Sequence, residues 1–382
     1  MTHQHGIATT SPDARSPNYS AITRLPRTLP MHVAPLPGES LDSWLEAIAH
    51  RHQCRFKDLL AATSIRAHPQ RNDWLVALSP DERRSLATAT AVGEDVLTAM
   101  TLEHYDGRAL DIELSNRTLR RSFPWGWRTG SRFCPRCLAD NGGRWQLVWR
   151  LNWTFACTRH HCLLTDACPQ CGARQRHQPH AGTSIPEPGN CRKVRTPPNT
   201  PRHRCGAALS SGDVLVMPHL HPVLAAQRLI ETILTGCVSA FPIYQNGRHA
   251  SREVLADIQA LARWIITAVD HGGLRHYVPR DVLASLTTHR TLLDWPYGMY
   301  WNSVAALPET IDTAVGVTVA TSVLAQPNTS LAAIALQRLK QYAAKRRPYS
   351  LPISPRRISP VLTTIQSTAM RHDGITTQID RG

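Results

Sequence analysis

The chain has 382 residues, enough for two or three hydrophobic cores, since single cores rarely grow past roughly 250 to 300 residues. Its 42% hydrophobic and 19% charged residues are a globular composition and exclude a disordered or fibrous chain. Lys and Arg number 43 against 28 Asp and Glu, a formal +15, so an acidic partner is expected, nucleic acid before an anionic membrane.

Residues 1–24 are rich in Ser, Pro, Thr and His and read as a disordered extension. They contain no apolar run of a secretory signal, which predicts a cytoplasmic protein whose ten cysteines stay reduced. Residues 25–116 form an N-terminal helical region. It opens extended from Leu29, turns at Pro37-Gly38, and starts a helix capped by Ser40 with Leu41, Trp44, Leu45, Ile48 and Ala49 on one face. A shorter helix over Arg55 to Thr63 sets Phe56, Leu59 and Leu60 against the first. The pair is compatible with a helix-turn-helix, as is any helical hairpin.

The strongest signal lies in residues 117–210. Cys134-Pro-Arg-Cys137 is followed after 19 residues by Cys157-Thr-Arg-His160, a spacing typical of zinc ribbons. A C-x-x-C turn lets two thiolates converge on one ion at about 2.3 Å, and two such pairs complete a tetrahedron. A second knuckle starts at Cys168-Pro-Gln-Cys171 and ends at Cys205-Gly206, but its fourth ligand is displaced: Arg202 stands where a C-x-x-C partner is expected. Cys191 is the best substitute, and His203 the next. Cys162 could replace a ligand of the first site but reads better as a small packed hydrophobe, and Cys54 and Cys237 read as core residues. The H-x-E of zinc deaminases and the H-E-x-x-H of metalloproteases are both absent, and side chains fill both ligand sets, so the zinc ions read as structural.

The same segment holds sixteen Lys and Arg against Asp140, Asp166 and Glu187. All but one of the bases are arginine, which suits phosphate forks. Arg120, Arg121, Arg132, Arg136, Arg174, Arg176, Arg192, Lys193 and Arg195 are therefore the candidate DNA contacts. Trp145, Trp149 and Trp153 recur every four residues, which marks a packed stripe before a base-stacking platform. The three carboxylates sit singly in separate loops and offer no paired set for two-metal phosphoryl chemistry, which weighs against a zinc-dependent nucleic-acid-processing enzyme.

Residues 211–350 read as a C-terminal helical domain. Pro222 leads a helix to Leu234, Ser251 caps a helix over Arg252 to Val269, and Ser330 starts another ending at Lys345-Arg346-Arg347. The charge-free stretch from Thr313 to Gln337 is interrupted by Gln326-Pro327-Asn328 and is not a membrane span. Residues 351–382 form a basic tail.

The run L-P-x-x-V-x-P-x-P-G-E-S-L-x-S-W-L from Leu29 to Leu45 precedes Cys134-Pro-Arg-Cys137-Leu138, then C-x-x-H with Leu164, then C-P-x-C-G. In this order, over roughly residues 25 to 210, the motifs resemble the TniQ family of transposition target-selection proteins. The resemblance implies a helix-turn-helix-like N-terminal region with two zinc-binding knuckles. It also implies an adaptor that directs transposition to target sites without strand-transfer chemistry of its own. The partners it implies are DNA, a transposition ATPase and a transposase, with a guide-RNA complex in CRISPR-associated systems; a second copy of the chain is also admitted. The expected fold is mainly α with small zinc-ribbon β elements. A sequence-specific transcription regulator fits the same elements.

Overall fold

The computed structural model describes residues 28–65, 73–120, 130–177, 182–195, 203–238, 241–245, 250–292, 309–343 and 358–379. Among them lie thirteen helices and three two-stranded antiparallel sheets, so the fold is mainly helical with small β elements.

The first layer is built from α1 (Leu41–Arg51), α2 (Phe56–Ala62), α3 (Asp73–Val76), α4 (Pro80–Thr90) and α5 (Glu94–Ala99). Its core is Leu41, Trp44, Leu45 and Ile48 of α1 packed on Phe56, Leu59, Leu60, Trp74, Leu86 and Leu97. The i, i+3, i+4, i+7 spacing of the α1 residues is what gives that helix one apolar face. Ser40 is the N-cap of α1, as its position predicts, but its side chain makes no capping hydrogen bond. α4 carries a full capping box: Ser79 accepts from the Glu82 amide while the Glu82 carboxylate accepts from the Ser79 amide. α1 and α2 form a helical hairpin. The amides of Phe56 and Lys57 at the start of α2 donate to the carbonyls of Ser184 and Gly182, so the ribbon region covers the end that a recognition helix would present to bases.

After the ribbon β1 (Ile112–Glu113) with β2 (Thr118–Leu119) comes the middle layer: α6 (Pro135–Asp140), the hairpin of β3 (Ala156–Cys157) with β4 (Cys162–Leu163), and the hairpin of β5 (Val194–Arg195) with β6 (His203–Arg204). So little chain has few apolar residues, and the cysteines themselves join Phe133, Leu138, Trp145, Trp149 and Leu164 to make its core. All three tryptophans of the four-residue stripe are buried, Trp145 and Trp149 here and Trp153 in the next core. A short 3₁₀ turn over Leu147–Arg150, not an α-helix, lies between them.

The third layer comprises α7 (Pro222–Leu234), α8 (Ser251–Ala268), α9 (His271–Leu274), α10 (Arg280–Leu292), α11 (Thr310–Leu324), α12 (Thr329–Lys340) and α13 (Pro360–Ile379). Helix α11 is buried nearly all round, which accounts for the absence of charge after Asp312: it is the centre of a helical core against α7, α8, α10 and α12. No helix among the described residues is long and apolar enough to cross a membrane. Two caps differ from expectation: Ser251 is inside α8, whose N-cap is Ala250, and Asn328 caps α12 by accepting from the Leu331 amide. The basic runs 345–347 and 356–357 lie outside the described residues.

The middle layer is tied to the third by buried polar contacts. The Gln227 side chain of α7 accepts from the amides of Phe155 (2.9 Å) and Ala156 (3.2 Å). The Asp166 carboxylate accepts from the Thr310 amide at the start of α11, where the helix dipole favours a negative charge.

Candidate metal centres

Two groups of four ligand residues come together, Cys134, Cys137, Cys157 and His160, and Cys168, Cys171, Cys191 and Cys205, each with its ligand atoms within 4.8 Å of one another. In the first, Pro135 opens α6 and fixes the turn, so the Cys137 amide points at the Cys134 sulfur (3.5 Å). On the β3–β4 hairpin the His160 amide points at the Cys157 sulfur in the same way (3.3 Å). His160 Nδ1 lies 3.6, 3.1 and 3.5 Å from the sulfurs of Cys134, Cys137 and Cys157. Its other nitrogen, Nε2, is 2.9 Å from Asp140, which fixes the tautomer so that the Nδ1 lone pair faces the thiols. Asp140 also pairs with Arg159 at 3.0 Å. Asp140 is thus not an isolated carboxylate: its position three residues past Cys137 on α6 is the signal that it belongs to the centre.

The second centre has a different construction. Cys168 and Cys171 occupy a knuckle closed by the Gly172 amide on the Cys168 carbonyl, with Gly172 at φ +68 where a side chain would be strained. Cys191 and Cys205 stand on opposite limbs of the β5–β6 hairpin, whose extension pairs the Cys205 amide with the Lys193 carbonyl and the Gly206 amide with the Cys191 carbonyl. The hairpin supplies the ligand that Arg202 fails to supply. His203 is on β6, exposed and outside the group. The sulfur of Cys191 lies 3.6 Å from that of Cys171 and accepts from the Gln175 amide at 3.3 Å. Cys237 is exposed, contrary to its expected core position, and Cys54 is half-buried.

Three thiols with an imidazole, and four thiols, are donor sets for zinc, and the N–H···S contacts at both CxxC-type turns fit it. The chemistry of the first group also suits a cation. Hydrogen bonds from Cys134, Cys137 and Cys162 draw the Cys157 thiol far below the ordinary range, while Cys137 and Cys162 are pushed far above it by their bonds to Cys134 and Cys157. Thiols this close cannot all ionise unless a positive ion sits among them. Residues 134, 137, 157 and 160 would hold one ion and 168, 171, 191 and 205 another.

Seven of the nine candidate DNA contacts have described side chains, and these fall into three groups. Arg132, Arg176 and Arg192 turn inward. Arg132 is fully buried against Asp166 and the carbonyls of Asn152 (2.8 Å) and Thr154 (2.9 Å). Arg176 pairs with Asp42 and with Glu46 (2.8 Å) and stacks over Trp145 with its guanidinium carbon 4.5 Å from the ring centre. Arg192 pairs with Glu46. Arg120 and Arg174 are exposed but paired, with Glu113 and Glu309. Arg136 and Lys193 are exposed, as is Arg204 of β6. Arg121 and the side chain of Arg195 lie outside the described residues.

The inward arginines reveal what the acidic residues of α1 and of the turn before it do. Glu39, Asp42 and Glu46 receive Arg144, Arg150, Arg176 and Arg192, all from the middle layer. The run Gly-Glu-Ser-Leu-Asp-Ser-Trp-Leu-Glu therefore has two faces, one apolar for its own core and one acidic on which the metal-centre region is seated.

Residues 30–164 match the TniQ family model. Over this segment the chain is similar to the TniQ family. The match supports a transposition-associated role. The matched TniQ segment is shorter than the motif resemblance over residues 25 to 210 suggests: it contains α1, the acidic seat and all four residues of the first centre, and stops before Cys168. No curated protein matches the chain.

Proposed function

We propose that this protein is a zinc-containing, DNA-contacting adaptor that directs transposition to target sites and carries no strand-transfer chemistry of its own. A TniQ-like segment whose one complete ligand set is buried among packing residues carries this reading. In both groups four protein side chains fill the tetrahedron, which suits a structural ion and leaves no position for a catalytic water. The layout is an N-terminal helical unit over 25–116, a ribbon unit over 117–210 and a helical unit over 211–350, in a cytoplasmic protein. The helical units present surfaces to a transposition ATPase and transposase.

The DNA surface is narrower than the arginine count suggests. Among the described residues, Arg136, Lys193 and Arg204 are exposed bases of the ribbon region, and phosphate contact is assigned to them in preference to the buried Arg132 and Arg176. Binding to duplex DNA over a salt series tests this: the triple variant Arg136→Ala, Lys193→Ala, Arg204→Ala is expected to flatten the slope of log K against log salt by up to about three units. An unchanged slope overturns the surface. Capture of the neighbouring ATPase by the wild-type chain, with and without DNA, tests the adaptor role.

A further inference from the structure

Cys162 is fully buried, and its sulfur lies 3.7 Å from that of Cys134. That separation is close to the 3.6 Å between the Cys137 and Cys157 sulfurs, and both are near the edge of a tetrahedron with bonds of about 2.3 Å, roughly 3.8 Å. Register explains why. Cys157 and Cys162 are directly opposed in the β3–β4 pair, so their side chains emerge on the same face, while Ala156 and Leu163 emerge on the other. The cores agree: Cys157 and Cys162 join the ribbon core, Ala156 and Leu163 the helical one. Cys162 thus borders the four-residue group as a further sulfur donor beside Cys134, where a tetrahedral ion takes four ligands.

We infer that Cys162 is an alternative fourth ligand of the first centre, replacing His160 when the ion is more thiophilic than zinc or when the imidazole is lost. In the exchange the bond from the ion to His160 Nδ1 breaks and a bond to Cys162 Sγ forms. The Cys162 thiol proton leaves to the freed imidazole or to water, so the centre becomes more negative by one charge. His160 is the ligand that departs because it sits at the outer edge of the hairpin with Asp140 on its far side, whereas Cys134, Cys137 and Cys157 are buried. With zinc, the imidazole held by Asp140 keeps the site; with cadmium, sulfur is preferred.

This rests on metal occupancy of the first centre. The test is ¹¹³Cd NMR of the wild-type chain loaded with cadmium, with Cys162→Ala beside it. Two four-sulfur resonances are expected from wild type, one of which moves to a three-sulfur, one-nitrogen position in the variant. A wild-type resonance already at the three-sulfur, one-nitrogen position overturns the inference while leaving the metal reading intact; absence of bound cadmium at the first centre overturns both. In a second arm His160→Asn is expected to retain two zinc ions per chain and His160→Asn with Cys162→Ala only one. One zinc in the single variant also overturns it. Should His160→Asn fail to fold, the cadmium spectra decide alone.

Discussion

Asp42 of α1 and Arg150, 108 residues later in the chain, form an ion pair in which the side chains are 9% and 1% exposed. Arg176 shares the same carboxylate oxygen. Removing charges from water costs several kcal/mol per ion, and the mutual attraction offsets this only when geometry is good and the remaining donors are satisfied. Such a contact is therefore better at fixing one arrangement than at adding stability. With Glu39 and Glu46 it gives α1 a single way to seat the metal-centre region.

Asp42→Ala is expected to cost about 3 to 5 kcal/mol, because Arg150 and Arg176 are left with a buried charge lacking its main partner. Urea unfolding of the metal-loaded chain measures it. The triple variant Asp42→Leu, Arg150→Met, Arg176→Met is expected to recover most of the loss, which a purely attractive ion-pair model does not predict.

Acid should act on the same contact. Burial raises the Asp42 carboxyl, but the guanidinium groups of Arg150 and Arg176 outweigh it and hold the group well below the usual carboxylate range. The unfolded chain binds this proton near pH 3.9, as an ordinary Asp does, and the folded chain only at lower pH. The contribution is thus complete above about pH 5 and is lost as pH falls below about 4 toward the folded value. The stability gap between wild type and Asp42→Asn should be constant from pH 5 to 7 and shrink on acidification; a gap that widens refutes the assignment.

The first four-residue group is legible from spacing because a CxxC-type turn is a local feature; in the second, spacing leaves Cys191 and His203 both open, and only the β5–β6 hairpin brings Cys191 to the other three. The helices α1, α7 and α12 follow from periodicity and from Pro222 and nearby caps. What sequence alone does not disclose is the destination of the arginines. Arg132, Arg150 and Arg176 look like any solvated base in composition, and only pairing with residues 34 to 134 positions away separates a buried fork from a phosphate contact. The acidic residues at the start of α1 carry a weak signal of it: Asp42 and Glu46 are spaced i, i+4 on the helix and Glu39 stands just before its N-cap.

Asp140→Asn should weaken zinc binding without changing the ligands. The carboxylate accepts from His160 Nε2 and so orients the ring and raises its basicity; loss of such partners typically costs 10- to 100-fold in affinity. Competition with a chromophoric chelator is expected to show one of the two zinc ions released 10- to 100-fold more readily, the other unchanged.

Gly316 marks a close approach of α11 to α8. A Cβ there would lie 2.9 Å from Ile266 Cγ1 and 3.0 Å from the Ala262 carbonyl oxygen. Helix propensity favours Ala over Gly by about 1 kcal/mol, but the Ala262 backbone cannot yield without separating the two central helices. Gly316→Ala is expected to destabilise by about 1 to 3 kcal/mol net, read from thermal unfolding. A stabilised variant refutes the packing argument.

Metal removal should unfold one layer selectively. The ribbon core consists of the cysteines with Phe133, Trp145, Trp149 and a few leucines, whereas the core around α11 contains Trp153 and no metal ligand. Without the ions the first group loses the attraction that holds its sulfurs together, and Trp145, which donates to Ser131 at 2.8 Å and carries Arg176 on its face, loses its surroundings. Chelation is therefore expected to abolish the near-ultraviolet signal of the buried ribbon tryptophans and to expose Arg176 and Arg192, while most of the far-ultraviolet helical signal persists. Zinc should restore the first signal with a stoichiometry of two. Loss of all helical signal on chelation would mean that the third layer cannot stand without the ribbon seated between α1 and α11.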